Sequence, residues 1–248
     1  HSGELSFLDA LFTSTSATCV TGLMVENATM FTFKGQVIIM ILIKLGGLNI
    51  IAFGTFIALM SKFGVGIKQH DVIEDFMNKD NALSAKGMLG RIVLWSTVVE
   101  LVGAMLLYVL WLDNIPFKTA GDKLFSSVFH SISAFNNAGI SLFENGLYQE
   151  FVKDNFYVQM VIAVLIFVGA LGFNSLFNIF TFSHMRERLK FSWKQINFST
   201  KIALYFSLIV VLLGTVAFYF IEQGNTLKDQ SFIESLMTSL FQSVNRTS

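Results

Sequence analysis

The chain has 248 residues and no formal net charge, with 53% hydrophobic and only 14% charged residues. Charged residues make up about a quarter of an ordinary globular chain, so this composition argues against a soluble domain, and the balanced charge argues against a nucleic-acid binder. The single cysteine, Cys19, excludes an internal disulfide, and no Cys/His spacing indicates zinc. Because the sequence also starts at His1 within a helix-compatible pattern, we expect an internal piece of a membrane protein.

Four apolar segments are each long enough to cross a bilayer as a helix, which takes about 20 residues for about 30 Å of hydrocarbon. They are residues 36–60, 88–112, 157–182 and 202–221. Backbone polar groups need partners inside lipid, so each segment is predicted to form an uninterrupted helix. The sequence therefore predicts an all-α polytopic membrane protein.

Basic residues are concentrated in two of the segments that connect these spans. Residues 61–87 carry four lysines, and residues 183–201 carry five Lys and Arg residues, whereas the connections on the other side are poorer in them. Since cytoplasmic loops are enriched in Lys and Arg, both segments are predicted to be cytoplasmic. This orientation alternates correctly over four spans and predicts a multi-pass protein of the cell membrane.

Three polar pieces are too short to span the membrane and lie on the predicted outer side: residues 7–23, 124–142 and 232–248. Each begins with a short helix-compatible stretch and continues into Ser, Thr and Asn residues, which is typical of a re-entrant segment. Aligning Gly22 with Gly139 superimposes Ser16 on Ser133, and Ser243 takes the same place in the third piece. The pieces therefore read as copies of one repeat.

The repeat predicts span–loop–span units along the chain. Residues 1–60 would hold repeat one without its first span, 88–182 a complete repeat two, and 202–248 repeat three up to the start of its loop, with 61–87 and 183–201 as connectors. Irregular backbone at membrane depth is tolerated where it lines a cavity. Several such loops around one axis would present carbonyl oxygens that can replace the hydration shell of a cation.

The motifs of these units resemble those of a known family. They are TCVTGL at 18–23, FNNAGI at 135–140, LGGL at 45–48 with VGALGF at 168–173, and NRTS at 245–248. The chain resembles the Trk/Ktr/HKT superfamily of potassium transporters, and within it most closely the membrane subunit of bacterial Ktr systems. The resemblance implies four span–pore loop–span repeats that form one pore related to that of potassium channels, and potassium uptake without chemistry on the ion.

The same resemblance implies which residues form the ion-selective filter. Gly22 and Gly139 would be filter glycines, and Asn245, Arg246, Thr247 and Ser248 would begin the third filter strand. The backbone carbonyls would come from Thr18, Cys19, Val20 and Thr21 in the first loop, and from Phe135, Asn136, Asn137 and Ala138 in the second. Glycine rather than serine at position 22 favours potassium over sodium in this family.

Partners also follow from the resemblance. It implies a homodimer in the lipid bilayer that is seated on a cytosolic nucleotide-binding regulatory ring of the RCK type, with residues 61–87 and 183–201 available for docking. No cofactor is expected in this subunit; potassium is the transported ion, and sodium coupling stays open.

Charged and small residues inside the spans have alternative interpretations. Lys44 and Glu100 are functional candidates because charges at membrane depth are costly, yet each could equally meet a partner at a helix interface. Arg91 is too far along its helix from Glu100 to pair with it. The glycines of the spans, Gly46, Gly47, Gly169 and Gly172, favour close helix packing over pore lining.

Two rival functions remain open. One is a different, sodium-permeable cation channel or transporter, and the other is a non-conducting membrane scaffold. An enzyme is disfavoured because the sequence holds no nucleophile–base constellation, metal set or phosphate-binding loop.

Overall fold

A computed structural model of the chain describes residues 6–60, 85–111, 117–144, 146–148, 155–172, 175–176, 196, 198–228 and 230–247. Within these ranges it contains seven α-helices, two short 3-10 turns and no β-strand, so the all-α prediction is confirmed for them. The predicted cytoplasmic segments fall mainly on residues 61–84 and 183–195, which lie outside the described residues.

The three helices that are predicted to be re-entrant are called short, and the pairs of predicted spans between them are called long. The short helices are α1 (Phe7–Cys19), α4 (Ala120–Phe135) and α7 (Phe232–Thr247), and the long helices are α2 (Phe33–Met60), α3 (Ala85–Leu110), α5 (Phe156–Ala170) and α6 (Phe198–Glu222). Helix α5 has 15 residues and is long by its predicted place only. In the described part of the chain, Ile92–Leu110 and Thr200–Glu222 are long and apolar enough to cross a membrane. Helix α2 has 28 residues and is therefore about 42 Å long. The count of four spans stays a prediction.

Apolar side chains on α3 and α6 remain open to the surroundings. Val109 of α3 is 77% exposed, and Leu213 and Phe220 of α6 are 66% and 70% exposed. Continuous apolar surfaces of this kind are unfavourable in water and mark contacts with lipid or with other protein segments. Both helices therefore carry the surface that the membrane prediction requires.

The short helices begin with a shared local signal. In α1 the side chain of Ser6 accepts from the Asp9 N–H and the Asp9 carboxylate accepts from the Ser6 N–H, and Thr119 and Asp122 form the same capping box at α4. At α7, Ser231 and Glu234 exchange the equivalent bonds, with the Ser231 N–H 2.8 Å from the Glu234 carboxylate. These bonds lower the pKa of Glu234. Because each box satisfies two backbone donors that a helix start leaves open, it fixes where the helix begins.

Helix α5 is shorter than the sequence predicts. The apolar segment 157–182 is expected to be one uninterrupted helix, but α5 ends at Ala170 and Gly172 takes a left-handed conformation with φ +75°. A left-handed glycine is a usual way to end a helix because it has no Cβ to clash. The prediction of an unbroken helix across 157–182 is therefore wrong at Leu171 and Gly172.

Each short helix packs against the long helices on either side of it in the chain. Helix α1 contacts α2, α4 contacts both α3 and α5, and α7 contacts α6. Short helices also contact a long helix of the preceding unit, since α4 contacts α2 and α7 contacts α5. Phe129 of α4 is fully buried between the first two units, and Phe241 of α7 is 6% exposed in the core around α5. This arrangement brings the ends of α1 and α4 together.

Candidate functional site

Two loops of matching backbone geometry follow the short helices α1 and α4. Loop one is residues 20–23 and loop two is residues 136–141. Val20 and Asn137 both have φ +57°, and Gly22 and Gly139 have φ +74° and +68°. Both members of each pair are 117 positions apart in the sequence. The two loops therefore leave their helices in the same way.

The hydrogen bonds at the two helix ends also match. Thr21 N donates to Ser16 O at 3.0 Å, and Ala138 N donates to Ser133 O at 2.8 Å. Together with shorter-range bonds from the N–H groups of the two left-handed residues, these form a Schellman motif at each end. The left-handed residue of loop one is Val20, a β-branched residue for which this conformation is a rare outlier. Such strain is more common at functional sites than elsewhere.

The two loops lie against each other at their glycines. A Cβ added to Gly22 would overlap the carbonyl oxygen of Ala138 and lie 3.5 Å from the Cα of Gly139. A Cβ added to Gly139 would lie 3.9 Å from the Cα of Gly22, which is an ordinary contact distance. Glycine at position 22 is thus required by conformation and by space, whereas at position 139 it is required by conformation alone.

Four carbonyl oxygens of the two loops accept no hydrogen bond from a described residue and are called open for that reason. They belong to Val20, Thr21, Asn137 and Ala138, and the oxygen of Ala138 lies against Gly22. Backbone carbonyls normally have a partner when they are buried in protein. Open carbonyls from two adjacent loops are the kind of ligand that binds a weakly hydrated cation.

Three residues that the resemblance places among the ion ligands belong to the ends of helices. Thr18 and Phe135 lie in the last turns of α1 and α4, and Cys19 is the final residue of α1. A Cβ at Gly46 of α2 would overlap the carbonyl oxygen of Thr18, and a Cβ at Gly169 of α5 would overlap that of Phe135. The carbonyls of Thr18 and Phe135 therefore lie against the long helices, and the open carbonyls begin two residues later.

The packing interpretation of the span glycines is confirmed for three of them. Gly46 and Gly169 admit helix ends, and Gly47 admits the side chain of Asn136, whose amide oxygen a Cβ would overlap. Gly172 differs, because no atom of the described residues lies within 4 Å of its added Cβ and its role is the left-handed end of α5.

Loop one is anchored within its own unit. The Thr21 hydroxyl lies 2.9 Å from Ser16 Oγ and 3.3 Å from the Ser16 carbonyl oxygen, and Ser16 is buried. Cys19, in the last turn of α1, is exposed. Loop one is therefore held by a hydroxyl bond to the helix that precedes it.

Loop two is anchored by a serine and a histidine of α4. Ser133 Oγ donates to Ile140 O at 2.6 Å and accepts from Ile140 N at 3.1 Å. His130 Nδ1 lies 2.7 Å from the Ser126 carbonyl, and Nε2 accepts from the Leu142 N–H at 3.3 Å. Because a carbonyl only accepts and an N–H only donates, Nδ1 carries the proton and the imidazole is neutral. These bonds hold the chain where it leaves loop two.

Two asparagines connect loop two to long helices. Asn136 Nδ2 donates to Glu100 Oε1 of α3 at 2.9 Å. With its nitrogen facing α5, the Asn137 amide donates to Ile166 O at 3.1 Å and accepts from Ala170 N at 3.3 Å. Ile166 and Ala170 are one turn apart at the end of α5, and a side chain between such groups is a recognised cause of helix distortion. Asn137 thereby connects loop two to the end of α5.

The third short helix contacts its preceding span as α4 does. Ser243 Oγ of α7 donates to Val211 O of α6 at 2.8 Å, as Ser131 Oγ of α4 donates to Glu100 O of α3 at 2.6 Å. The match of Ser243 with Ser16 and Ser133 stays a prediction.

Three of the last predicted filter residues are helical. Asn245, Arg246 and Thr247 form the last described turn of α7. Ser248 lies outside the described residues. That these four residues begin the third filter strand stays a prediction.

The structure shows the partners of Lys44, Glu100 and His130, which the sequence alone does not indicate. Lys44 Nζ of α2 lies 2.6 Å from Glu100 Oε2 of α3, so these intramembrane candidates pair with each other. His130 is 3% exposed and hydrogen-bonded to the end of loop two. A signal for the helix starts was available in the Ser/Thr-x-x-Asp/Glu pattern.

Comparison with known proteins gives one family. The family TrkH, described as cation transport protein, matches residues 1–244. The chain is 34% identical over 243 residues to Ktr system potassium uptake protein B of Bacillus subtilis, covering 97% of this chain and 52% of that protein. It is 32% identical over 222 residues to the protein of the same name from Vibrio alginolyticus, covering 89% and 46%. The resemblance noted in the sequence is thereby confirmed.

A further relative carries a broader name. Potassium/sodium uptake protein NtpJ of Enterococcus hirae is 30% identical over 247 residues, covering 98% of this chain and 52% of that protein. The chain thus spans about half the length of these curated relatives. The family and these relatives are named for transport and uptake and not for an enzymatic reaction, which confirms the expectation that the chain is not an enzyme.

Proposed function

Because the chain belongs to the TrkH family of cation transport proteins, we propose that it forms part of the potassium-selective pore of a Ktr-type uptake system. Loops one and two would supply two sides of one filter, with further loops completing it. The observation that carries this proposal is the pair of matched loops, which meet at Gly22 and Gly139 and leave their carbonyl oxygens open.

Selectivity would arise from the backbone. Carbonyl oxygens held at fixed positions can replace the water around a potassium ion, and they discriminate against an ion for which their number and spacing are unsuitable. The left-handed residues and glycines of both loops would set those positions. Helices α1 and α4 point their C-terminal ends at the loops, where the negative end of the helix dipole favours a cation.

The partners in transport are proposed from the names of the relatives. Two of the relatives are named as proteins of a Ktr system, so we propose that this chain also acts with other components. A homodimer and a cytosolic nucleotide-binding ring of the RCK type remain the expected ones. Sodium could be a coupling ion or a second permeant ion, and the name of the Enterococcus relative gives a reason to measure it.

The test compares two glycines that share a conformation but not a location. Gly139 has φ +68° in loop two, and Gly146 has φ +57° with no atom of the described residues within 4 Å of an added Cβ. Gly139→Ser and Gly146→Ser impose a similar backbone strain, but only the first alters the proposed filter. We would measure potassium influx against potassium concentration, with and without sodium, for the full-length gene product in cells that lack their own potassium uptake.

The expected result is that Gly139→Ser raises the Km for potassium and weakens discrimination against sodium, while Gly146→Ser resembles wild type. Sodium influx comparable to potassium influx in wild type would favour the sodium-permeable transporter. No influx of either ion from abundant, folded wild-type protein with its partners would favour the scaffold and overturn the proposal.

Orientation is tested by labelling one introduced cysteine after the single native cysteine has been replaced. Cys19 is exposed at the end of α1, on the side proposed to be external. In a Cys19→Ser background, a cysteine introduced by Ser192→Cys should resist impermeant thiol reagents in intact cells and react after permeabilisation. Reaction of the Ser192→Cys variant from outside would invert the proposed topology.

A further inference from the structure

A buried ion pair connects three segments of the protein behind loop two. Glu100 of α3 is 4% exposed, and its Oε2 lies 2.6 Å from Lys44 Nζ of α2. Its other oxygen, Oε1, accepts from Asn136 Nδ2 at 2.9 Å. Lys44 Nζ also donates to Ser96 Oγ of α3 at 2.8 Å. One carboxylate therefore joins α2, α3 and the first residue of loop two.

The side chain of Asn136 has little freedom in this arrangement. Its Nδ2 also donates to Ile132 O at 2.8 Å, so both amide hydrogens are used. Its Oδ1 occupies space that a Cβ at Gly47 would fill. Asn136 immediately precedes Asn137, the left-handed residue that turns the chain into loop two. A shift of the Glu100 carboxylate would therefore move Asn136, the first residue of loop two.

An ion pair is a poor means of merely packing two helices. Burying two charges costs several kcal/mol per ion, and well-packed apolar residues of similar size often stabilise a protein as well or better. Two apolar side chains could join α2 to α3 but could not accept a hydrogen bond from Asn136. The contact to Asn136 is therefore the part of this cluster that packing alone does not explain.

Loop one lacks the side chain that this cluster holds in loop two. Cys19 lies 117 positions before Asn136 and has no amide that could donate to a carboxylate. The hydrogen bond from Glu100 therefore acts on loop two and has no equivalent at the matched position of loop one.

We propose that Glu100 and Lys44 are positioning residues for ion selectivity, in which the Lys44-paired carboxylate of Glu100 holds Asn136 and so sets the place of loop two beside loop one. This inference rests on the proposed function. It assigns a role in selectivity to charges that do not themselves face the ion.

Two double variants separate the hydrogen bond from the charges. Lys44→Met with Glu100→Gln removes both charges but keeps a side-chain oxygen that can accept from Asn136. Lys44→Met with Glu100→Leu removes the charges and the acceptor. Each variant avoids an unpaired buried charge, which would cost several kcal/mol and prevent folding. Potassium and sodium influx, maximal rate and membrane abundance would be measured for both in the full-length gene product, beside Gly139→Ser.

We expect the Gln variant to raise the Km for potassium less than the Leu variant does, since it loses the ion pair but keeps the acceptor for Asn136. The Leu variant should raise the Km for potassium about tenfold and lose discrimination against sodium, at unchanged abundance and maximal rate, since one hydrogen bond of ordinary strength corresponds to about that factor. A third variant, Asn136→Leu, should reproduce the Leu effect.

The inference is overturned if the Leu variant keeps the wild-type Km and selectivity, or if only its abundance falls. It is also overturned if the Gln and Leu variants change selectivity equally, because the hydrogen bond would then not carry the effect. Failure of the proposed function looks different: wild type would carry no potassium, or Gly139→Ser would leave selectivity unchanged.

Discussion

Loops one and two have the same backbone and different supports. Both leave a short helix through a left-handed residue and reach a left-handed glycine two residues later. Loop one is held by Thr21 and Ser16 of its own unit. Loop two is tied to α3 through Asn136 and to α5 through Asn137. The two units therefore share the path of the backbone, whereas the side chains that hold the loop in place differ between them.

The matched residues Phe12 and Phe129 also differ between the two units, in how far they are buried. Phe12 of α1 is 45% exposed, while Phe129, 117 positions later in α4, is fully buried. Phe129 lies in the core that contains Ile39 and Ile43 of α2, so the preceding unit covers it. Phe12 has no such covering unit within the described residues. The environment of a loop is thus set by its neighbour as much as by its own sequence.

The largest effect on the Km for potassium is expected at Gly22, where alanine should do more harm than alanine at Gly139. Gly22→Ala should raise the Km for potassium influx by more than about tenfold, because the new Cβ overlaps the Ala138 carbonyl and adds to a left-handed cost of about 1–2 kcal/mol. Gly139→Ala carries only the conformational cost and should have a smaller effect. Equal effects, or the reverse order, would contradict the described packing of the loops.

A somewhat smaller effect is expected at the glycines on which the short helices end. Gly46→Ala and Gly169→Ala should each destabilise the protein by about 1–3 kcal/mol, since the added methyl overlaps a backbone oxygen. Each kcal/mol corresponds to a fall in Tm of roughly 2–4 °C. The Tm would be measured as the temperature at which the monodisperse peak of the protein in detergent is lost. Gly121→Ala is the control, because its Cβ meets nothing closer than 3.4 Å and alanine favours a helix.

The histidine that holds the end of loop two should have a local effect. His130→Phe keeps an aromatic ring beside Phe143, which now stacks on His130 with ring centroids 4.7 Å apart, but removes both ring nitrogens. Hydrogen exchange of the Leu142 amide should accelerate about fivefold, which corresponds to a hydrogen bond of about 1 kcal/mol. Exchange at Thr21 in loop one should not change. Unchanged exchange at Leu142 would remove His130 from the support of loop two.

The smallest effect is expected at Thr21, because the residue at the matched position of loop two has no hydroxyl group. Thr21→Ala removes the hydroxyl bond to Ser16, but the matched position in loop two is Ala138. Because Thr21 is exposed, water can replace the lost bond, and the free energy of unfolding should change by less than about 1 kcal/mol. A loss of several kcal/mol in a thermal or denaturant assay would mean that loop one depends on this bond.

Much of the helix pattern could be predicted from the sequence because apolar length and repeated motifs are local signals. The long segments and the three short helices lie close to their expected places, and the Ser6, Thr119 and Ser231 caps could have been read from the Ser/Thr-x-x-Asp/Glu pattern. The end of α5 was missed, because the left-handed Gly172 looks like any other glycine in an apolar run.

The candidate site was predictable only in part. The glycines and the following chain direction come from motifs, but Lys44 and Glu100 are 56 positions apart and nothing local indicates that they pair. Ser243 is likewise one of several serines in α7, and its bond to Val211 of α6 could not be read from the sequence. Long-range contacts of this kind depend on how helices pack. The role of the two loops as an ion filter stays a prediction.

The most direct test of the central claim is to locate a bound ion between the loops. We would collect anomalous diffraction data from the full-length gene product crystallised with rubidium, a heavier substitute for potassium. The account predicts a rubidium peak between the open carbonyl oxygens of Val20 and Thr21 in loop one and those of Asn137 and Ala138 in loop two. Rubidium peaks elsewhere in a transport-competent protein, with none between these loops, would contradict it.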